Sequence, residues 1–416
     1  MDVEKLLYRR FIEPMENRQI PVPRVGIELE YPLVCLRAES NKSFVKYYFN
    51  RLIGQGFIPL YNGKQEMVGV EKKFVVRISL DTSYNNLKMA FYPTAAIHEI
   101  EPIWKEVTRN FLENFAERAL LIDVGVHPLI HTLPANFLND DHLFAKRKFI
   151  EQYSQKDFHG RGDFLAFISS AQTHLEFTPE ELPYAMHVLS TLDFAELMLF
   201  ANSPLKTAEG WFRCARYYFY TRCAFYQAGL TGSIDQEFHS IQEIMQDYAK
   251  RSLFFRWREQ CQFFAPVRLA DYFRQSEYAA EELDLNYFYS YRNTELKRQG
   301  TLERRIACAQ PFAQTFAPAA FASGIAARLH EADELVRRFL YDHRIRLSNS
   351  ERCEVAARGV AIADAKPLYS FLGALWQLAI DGLAARGHRD EVYLNCFDDK
   401  FRNLVRWHED AKSGSV

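Results

Sequence analysis

Glycine and proline are scarce in this chain, 18 and 16 residues of 416, and no low-complexity stretch occurs. That scarcity excludes a collagen-like or broadly disordered chain, because 48% hydrophobic residues supply enough apolar surface for a large buried core. Charge of one sign is missing too: 51 Lys and Arg stand against 53 Asp and Glu, a formal net charge of -2. A global basic field for nucleic acid is thereby excluded, while a local basic pocket is not. The seven cysteines are odd in number and form no CxxC pair, so neither a disulfide framework nor a zinc knuckle is expected. The first residues contain no apolar stretch of signal-peptide length, and the apolar run from Pro367 to Ile380 reads as too short to span a bilayer. The expectation is a soluble cytoplasmic protein with no nucleic acid and no membrane as partner. A GxxxxGK[ST] phosphate loop is also missing, so any nucleotide would have to be held by other means.

The length suits one large domain with a helical annex, or two domains. Residues 3 to 18 read as a short helix, and RVGIELEYPLVCL then reads as a strand rich in β-branched and aromatic residues. A helix is expected over Ser43 to Gly54, followed by short strands near Phe57 to Tyr61, Met67 to Val70, Phe74 to Leu80 and Asn86 to Phe91. Residues 95 to 119 show helical spacing, LLIDVGVHPLI reads as a buried strand, and a βαβ-like alternation is expected there. Lys146 to Tyr153 is expected to be helical, SSAQTHLEF a strand, and Pro179 to about Lys250 helical. GTLERRIACAQP is the last strand, and beyond Pro311 the pattern is mainly helical, which places a boundary between residues 1–312 and 313–416.

Three segments carry chemistry. Glu28 and Glu30 lie two apart in VGIELEYPLV, so both carboxylates leave one face of a strand, where they repel each other unless a cation or proton lies between them. Mg²⁺ holding phosphate oxygens would satisfy them; a solvated strand face would do so equally well. Ser170, Gln172, His174 and Glu176 form a polar stripe in SSAQTHLEF, a pattern that by itself describes a half-exposed strand. Glu303 and Arg305 share a face in GTLERRIACAQP, either as a structural ion pair or as a carboxylate for metal beside a guanidinium for phosphate. Lined up on one concave sheet, the three would suit the handling of ATP phosphates through metal ions.

These segments resemble, in order, those of the glutamate-cysteine ligases of the plant and actinobacterial type, within the carboxylate-amine ligases that share a glutamine-synthetase-like catalytic fold. The resemblance rests on GIELEYPLV at 26–34, the His-Pro turn of VGVHPLI, KRKF at 146–149, AQTHLEF at 171–177, LFANSP at 199–204 and GTLERRIACAQP at 300–311. It implies an α+β fold: a curved, mainly antiparallel sheet flanked by helices, with a helical C-terminal region that could support a homodimer or a lid. It implies an ATP- and Mg²⁺-dependent ligase that phosphorylates a carboxylate, typically the γ-carboxylate of glutamate, and joins it to an amine by way of an acyl phosphate. Carried over, Glu28, Glu30 and Glu303 would bind metal, Gln172 and His174 would line the metal or nucleotide side, and Arg305 would stabilise the transferring phosphoryl group. Lys146 and Arg147 are further candidates for phosphate or substrate contacts, with Arg213, Arg216, Arg222 and Arg292 behind them.

One segment departs from the pattern. In ISLDTSYNNLKMAFYP at 78–93, Lys88 stands where the family has a metal-binding Glu, and a charged lysine cannot ligate Mg²⁺. One metal site is therefore lost, reshaped or replaced by the ammonium, and cysteine is one acceptor amine among several. Two other readings stay open: a phosphotransferase that forms no amide, and a relative retired from catalysis that serves as a binding or scaffold protein.

Overall fold

The computed structural model describes residues 2–18, 23–36, 39–154, 162–360 and 362–413. Its strands, in chain order, are β1 (Val25–Cys35), β2 (Ile58–Tyr61), β3 (Met67–Lys72), β4 (Val76–Leu80), β5 (Asn86–Phe91), β6 (Ala119–Leu121), β7 (Ala171–Leu175), β8 (Leu205–Thr207), β9 (Gly210–Phe212), β10 (Thr231–Gly232), β11 (Ser252–Trp257), β12 (Cys261–Arg268), β13 (Tyr291–Arg292), β14 (Thr294–Leu296) and β15 (Leu302–Arg304). The main sheet runs β14-β15-β7-β1-β5-β4-β3-β2, with β6 paired to the end of β1. Each neighbouring pair in it is antiparallel. The fold is thus α+β, with a mainly antiparallel sheet, flanking helices and a helical C-terminal region.

The alternation in β1 decides which way the sheet faces. Val25, Ile27, Leu29, Tyr31 and Leu33 are buried on one side, and Glu28 and Glu30 are left on the other. The apolar side is covered by the Ile97–Phe115 helix, whose Ile100, Trp104, Val107 and Phe111 recur at helical spacing, and by the Ala317–Ala326 helix. The Trp104 indole N–H donates to the Tyr31 hydroxyl at 2.9 Å, and that hydroxyl also pairs with Thr315 at 2.9 Å. Residues on both sides of Pro311 therefore share one core.

The Ala317–Ala326 helix crosses the Ala365–Arg386 helix at very close range. A Cβ on Gly324 would fall 2.1 Å from the Ala379 carbonyl oxygen, so only glycine permits this approach. The second helix runs 22 residues and contains the apolar run from Pro367 to Ile380. Among the described residues it is the one helix long and apolar enough to cross a membrane, and here its Leu372, Leu375, Trp376, Ala379 and Leu383 are buried in the protein.

Elsewhere the structure differs from the sequence reading. LLIDVGVHPLI contributes only Leu120 and Leu121 to β6, which runs antiparallel to β1, so there is no βαβ unit at this point. Asp123, Gly125 and Pro128 break the run, and His127 Nε2 lies 3.0 Å from the Leu33 carbonyl oxygen. The helical stretch from Pro179 is interrupted by the β8–β9 hairpin, which turns at Gly210 with φ of 102°. The β11–β12 hairpin, whose LFFRW segment is apolar on both faces and so lacks alternation, was not expected. The first helix is expected from sequence to end at Pro21 and Pro23, and Pro21 lies outside the described residues.

Candidate active site

Strand register gathers the polar side chains on the open face of the sheet. Glu28 lies opposite Gln172 of β7 on one side and Ala90 of β5 on the other, Glu30 lies opposite Lys88, and Glu303 lies opposite His174. With a side-chain period of two, these groups rise from one face across four adjacent strands. They line a cavity of about 290 Å³ together with Lys146, Arg305 and Asp81. Of the residues expected from sequence, Glu28, Glu30, Lys88, Lys146, Gln172, His174, Glu303 and Arg305 are all brought together there. Arg147 is not: one step further round its helix, it stacks 4.1 Å from the Phe137 ring centroid and lies 3.9 Å from Glu151.

Each wall of the cavity is fixed by identifiable contacts. Glu30 accepts from the Ser170 backbone N–H, the Ser170 hydroxyl and the Gln172 side-chain amide, each at 2.8 Å. The Asp140 side chain caps the Asp141–Tyr153 helix, which delivers Lys146 to a point 3.7 Å from the Tyr289 ring centroid. Arg305 donates to Glu303 Oε2 at 2.8 Å while its guanidinium lies 5.2 Å from the Tyr291 ring centroid. Arg216 donates to the carbonyl oxygens of Arg305, Ile306 and Ala307, clamping the chain where it leaves β15.

The charges are strongly coupled. The Lys88 ammonium lies 2.5 Å from Glu28, 3.6 Å from Asp81 and 3.7 Å from Glu30. Burial opposes the charge on Lys88, but these three acids overcome it and hold the ammonium charged well beyond its ordinary range. Burial would likewise raise the Glu28 carboxyl, yet Lys88 pulls it well below the usual carboxylate range. Glu30 is pushed up by burial and by Asp81, with Lys88 and Arg216 only partly offsetting them. Glu303 resists burial and is pulled down to about 2 by Arg305 and by Lys297, whose Nζ is 2.9 Å away. Lys146, buried without a carboxylate partner, is held below the ordinary lysine range.

The donor set fits one divalent cation. The ligand atoms of Glu28, His174 and Glu303 all lie within 4.8 Å of one another. His174 Nδ1 lies 3.1 Å from the Thr301 hydroxyl, and Nε2 is buried, has no hydrogen-bond partner and lies 3.5 Å from both Glu28 Oε1 and Glu303 Oε1. Neighbouring ligands about 2.1 Å from an octahedral ion are about 3.0 Å apart, so these atoms would draw together by about half an ångström around a shared ion. Gln172 Oε1 is a second buried atom with no hydrogen-bond partner.

Sequence reasoning ranked Arg216 low and passed over Tyr289, Tyr291, Lys297 and Gln299, all of which line the cavity. The signal available was the alternation of YSYRNTELKRQG immediately before the Glu303 strand. Arg213, Arg222 and Arg292 serve elsewhere: Arg213 donates to the Met198 carbonyl, Arg222 pairs with Glu209 and Glu354, and Arg292 pairs with Asp247.

The fold and site together define a sheet whose open face carries a cavity lined by carboxylates, lysines and arginines. No family model matches the chain, and no curated protein matches it. Among solved structures it is similar to a bifunctional glutathione synthetase from Pasteurella multocida, with a TM-score of 0.51 at 11% identity. That match covers 97% of this chain and 49% of the other, so the chain spans about half the length of that protein. Also similar are a glutamate-cysteine ligase from Francisella tularensis in complex with AMP and the complex of the prokaryotic ubiquitin-like protein Pup with its ligase PafA. The first has a TM-score of 0.42 at 12% identity, covering 93% of this chain and 89% of the other; the second has 0.40 at 11%, covering 95% and 65%. The likeness to the glutathione synthetase establishes the fold.

Proposed function

We propose that the chain is an ATP-dependent carboxylate-amine ligase that uses Mg²⁺ and activates its carboxylate substrate as an acyl phosphate. One observation carries this reading: a divalent-cation ligand set, Glu28, His174 and Glu303, shares a single cavity with Lys88, Lys146, Arg216 and Arg305. A cluster of cationic side chains beside a cation site is what transfer of a phosphoryl group requires, since its transition state spreads charge over three equatorial oxygens. The fold, shared with a bifunctional glutathione synthetase, agrees with that chemistry.

In this reading a substrate carboxylate oxygen attacks the γ-phosphorus of ATP, and the bond to ADP breaks with its electron pair leaving on ADP. An amine nitrogen then attacks the acyl carbon, inorganic phosphate leaves and the amine loses a proton, giving an amide. Arg305, held by Glu303 and stacked on Tyr291, presents its remaining N–H groups to the transferring phosphoryl oxygens. Lys146 offers a buried ammonium to the same oxygens, and Gln172 Oε1 can accept a hydrogen bond from substrate. Mg²⁺ held by Glu28, His174 and Glu303 would polarise phosphate oxygens as a Lewis acid. The carboxylate donor that best fits the sequence resemblance is the γ-carboxylate of glutamate, and the acceptor is cysteine, another amino acid or a biosynthetic amine.

The test is ADP release from ATP, Mg²⁺ and glutamate with a panel of amines that includes cysteine. Amine-dependent ADP release with a matching amide product supports the ligase. ADP release with a phosphorylated product and no amide would make it a phosphotransferase, and no turnover with any amine would overturn the enzymatic reading.

A further inference from the structure

The open face of the sheet carries more acid than one divalent cation uses. Glu28 Oε1 faces the His174 and Glu303 ligand set, while Glu28 Oε2, Glu30 Oε1 and Asp81 Oδ1 form a second group of oxygens. That second group has the composition of a hard-cation site, three carboxylate oxygens from β1 and the loop after β4. Its centre is already taken: the Lys88 ammonium lies within 3.7 Å of all three oxygens. The cross-strand pairing of Glu30 with Lys88 fixes that position, because the register of β1 on β5 leaves the Lys88 side chain no other face to occupy.

We propose that Lys88 is a resident cation in place of a second metal ion, so that the site takes a single divalent ion at Glu28, His174 and Glu303 and meets its anionic substrate with a covalently fixed ammonium beside it. Charge balance points the same way. Four carboxylates on the cavity wall, Glu28, Glu30, Asp81 and Glu303, face five cationic side chains, Lys88, Lys146, Arg216, Lys297 and Arg305. The acids are therefore neutralised before any metal arrives, and further metal ions gain little by entering. An ammonium supplies positive charge and hydrogen-bond donors but no open coordination position, so it can orient a phosphate or carboxylate oxygen without competing for it as a Lewis acid.

The inference deepens the ligase reading of the same cavity, and its test separates the two. The whole chain, free of nucleotide, is titrated with Mn²⁺, and the free ion is followed by electron paramagnetic resonance. The wild type is expected to bind one Mn²⁺ per chain, and Glu303→Gln to lose it. Lys88→Met, which keeps the bulk of the side chain and removes its charge, is expected to bind two. A wild type that binds two or more ions, or none, overturns the proposal whether or not any variant folds. A folded Lys88→Met that still binds one ion overturns it as well, with Lys88→Gln as a second neutral variant. The count does not depend on turnover: a change from one to two in a protein that releases no ADP would sustain the resident cation and sink the ligase, and the reverse pattern would do the opposite.

Discussion

Glu303→Gln tests the electrostatics of the site most directly, because glutamine has the shape of the protonated carboxyl and lacks its charge. Glu303 is buried and its carboxyl is pulled from 4.5 to about 2, against burial, by Arg305 at 2.8 Å and Lys297 at 2.9 Å. A displacement of that size corresponds to roughly 3 kcal/mol favouring the charged form in the folded protein. A folded-state pKa below the unfolded one contributes stability that is complete above the unfolded value, near 4.5, and is lost as pH falls toward 2. Glu303→Gln is therefore expected to lose roughly 3 kcal/mol of unfolding free energy at pH 7, and the gap from wild type should narrow to roughly 1.4 kcal/mol at pH 3. Urea denaturation of both proteins across pH 3 to 7, in chelator to remove metal, measures this. Equal stabilities at pH 7, or a gap that stays constant down to pH 3, would show that the two basic groups do not hold the carboxylate as argued. In the same variant, loss of one of the two carboxylate ligands should abolish divalent-cation binding, and ADP release with it.

Lys400 is buried with the neutral Gln310 side chain as its acceptor and the Phe200 ring nearby, and burial lowers its pKa to about 8. A lysine lowered on folding costs stability below that pKa and ceases to do so as pH rises past its unfolded value, so the stability of wild type relative to Lys400→Met should rise between pH 8 and 10.5, by up to roughly 3 kcal/mol in denaturation curves. Arg147→Ala should leave ADP release unchanged, because its guanidinium packs on Phe137 outside the cavity, whereas Lys146→Ala should lower it at least tenfold; equal effects of the two would mean that the helix presents the wrong face.

What was legible in the sequence follows from side-chain period. Two acids at Glu28 and Glu30 amid Val25, Ile27 and Leu29 can belong only to a strand with one wet face, and the same holds for Gln172 with His174 and for Glu303 with Arg305. The face each strand presents was therefore available without coordinates. Which strands are neighbours was not: β1 pairs with β7, 146 residues along the chain counted from Val25 to Ala171, and β7 pairs with β15 beyond that. No local signal encodes a long-range antiparallel pairing. The helix that carries KRKF illustrates a finer limit, since period alone could not say which of Lys146 and Arg147 would turn inward until Asp140 fixed the start of the helix.

The part of the site least visible in sequence is the part that most shapes its chemistry. Lys88 reads as a departure from a metal-binding pattern, and only the Glu30–Lys88 register turns that departure into a positive charge set among three carboxylates. A phosphate loop would have supplied backbone N–H groups to an anion; this chain has none, and its cavity supplies ammonium and guanidinium groups from four separate elements. Each of those groups is steered by a neighbour that is not itself cationic: Lys88 by Glu28, Lys146 by Tyr289, Lys297 by Glu303, Arg305 by Glu303 and Tyr291, Arg216 by three carbonyl oxygens. Positive charge alone would bind any anion. Charge pinned in this way favours an anion whose oxygens match the fixed positions, which is the requirement for transferring a phosphoryl group and not merely holding one.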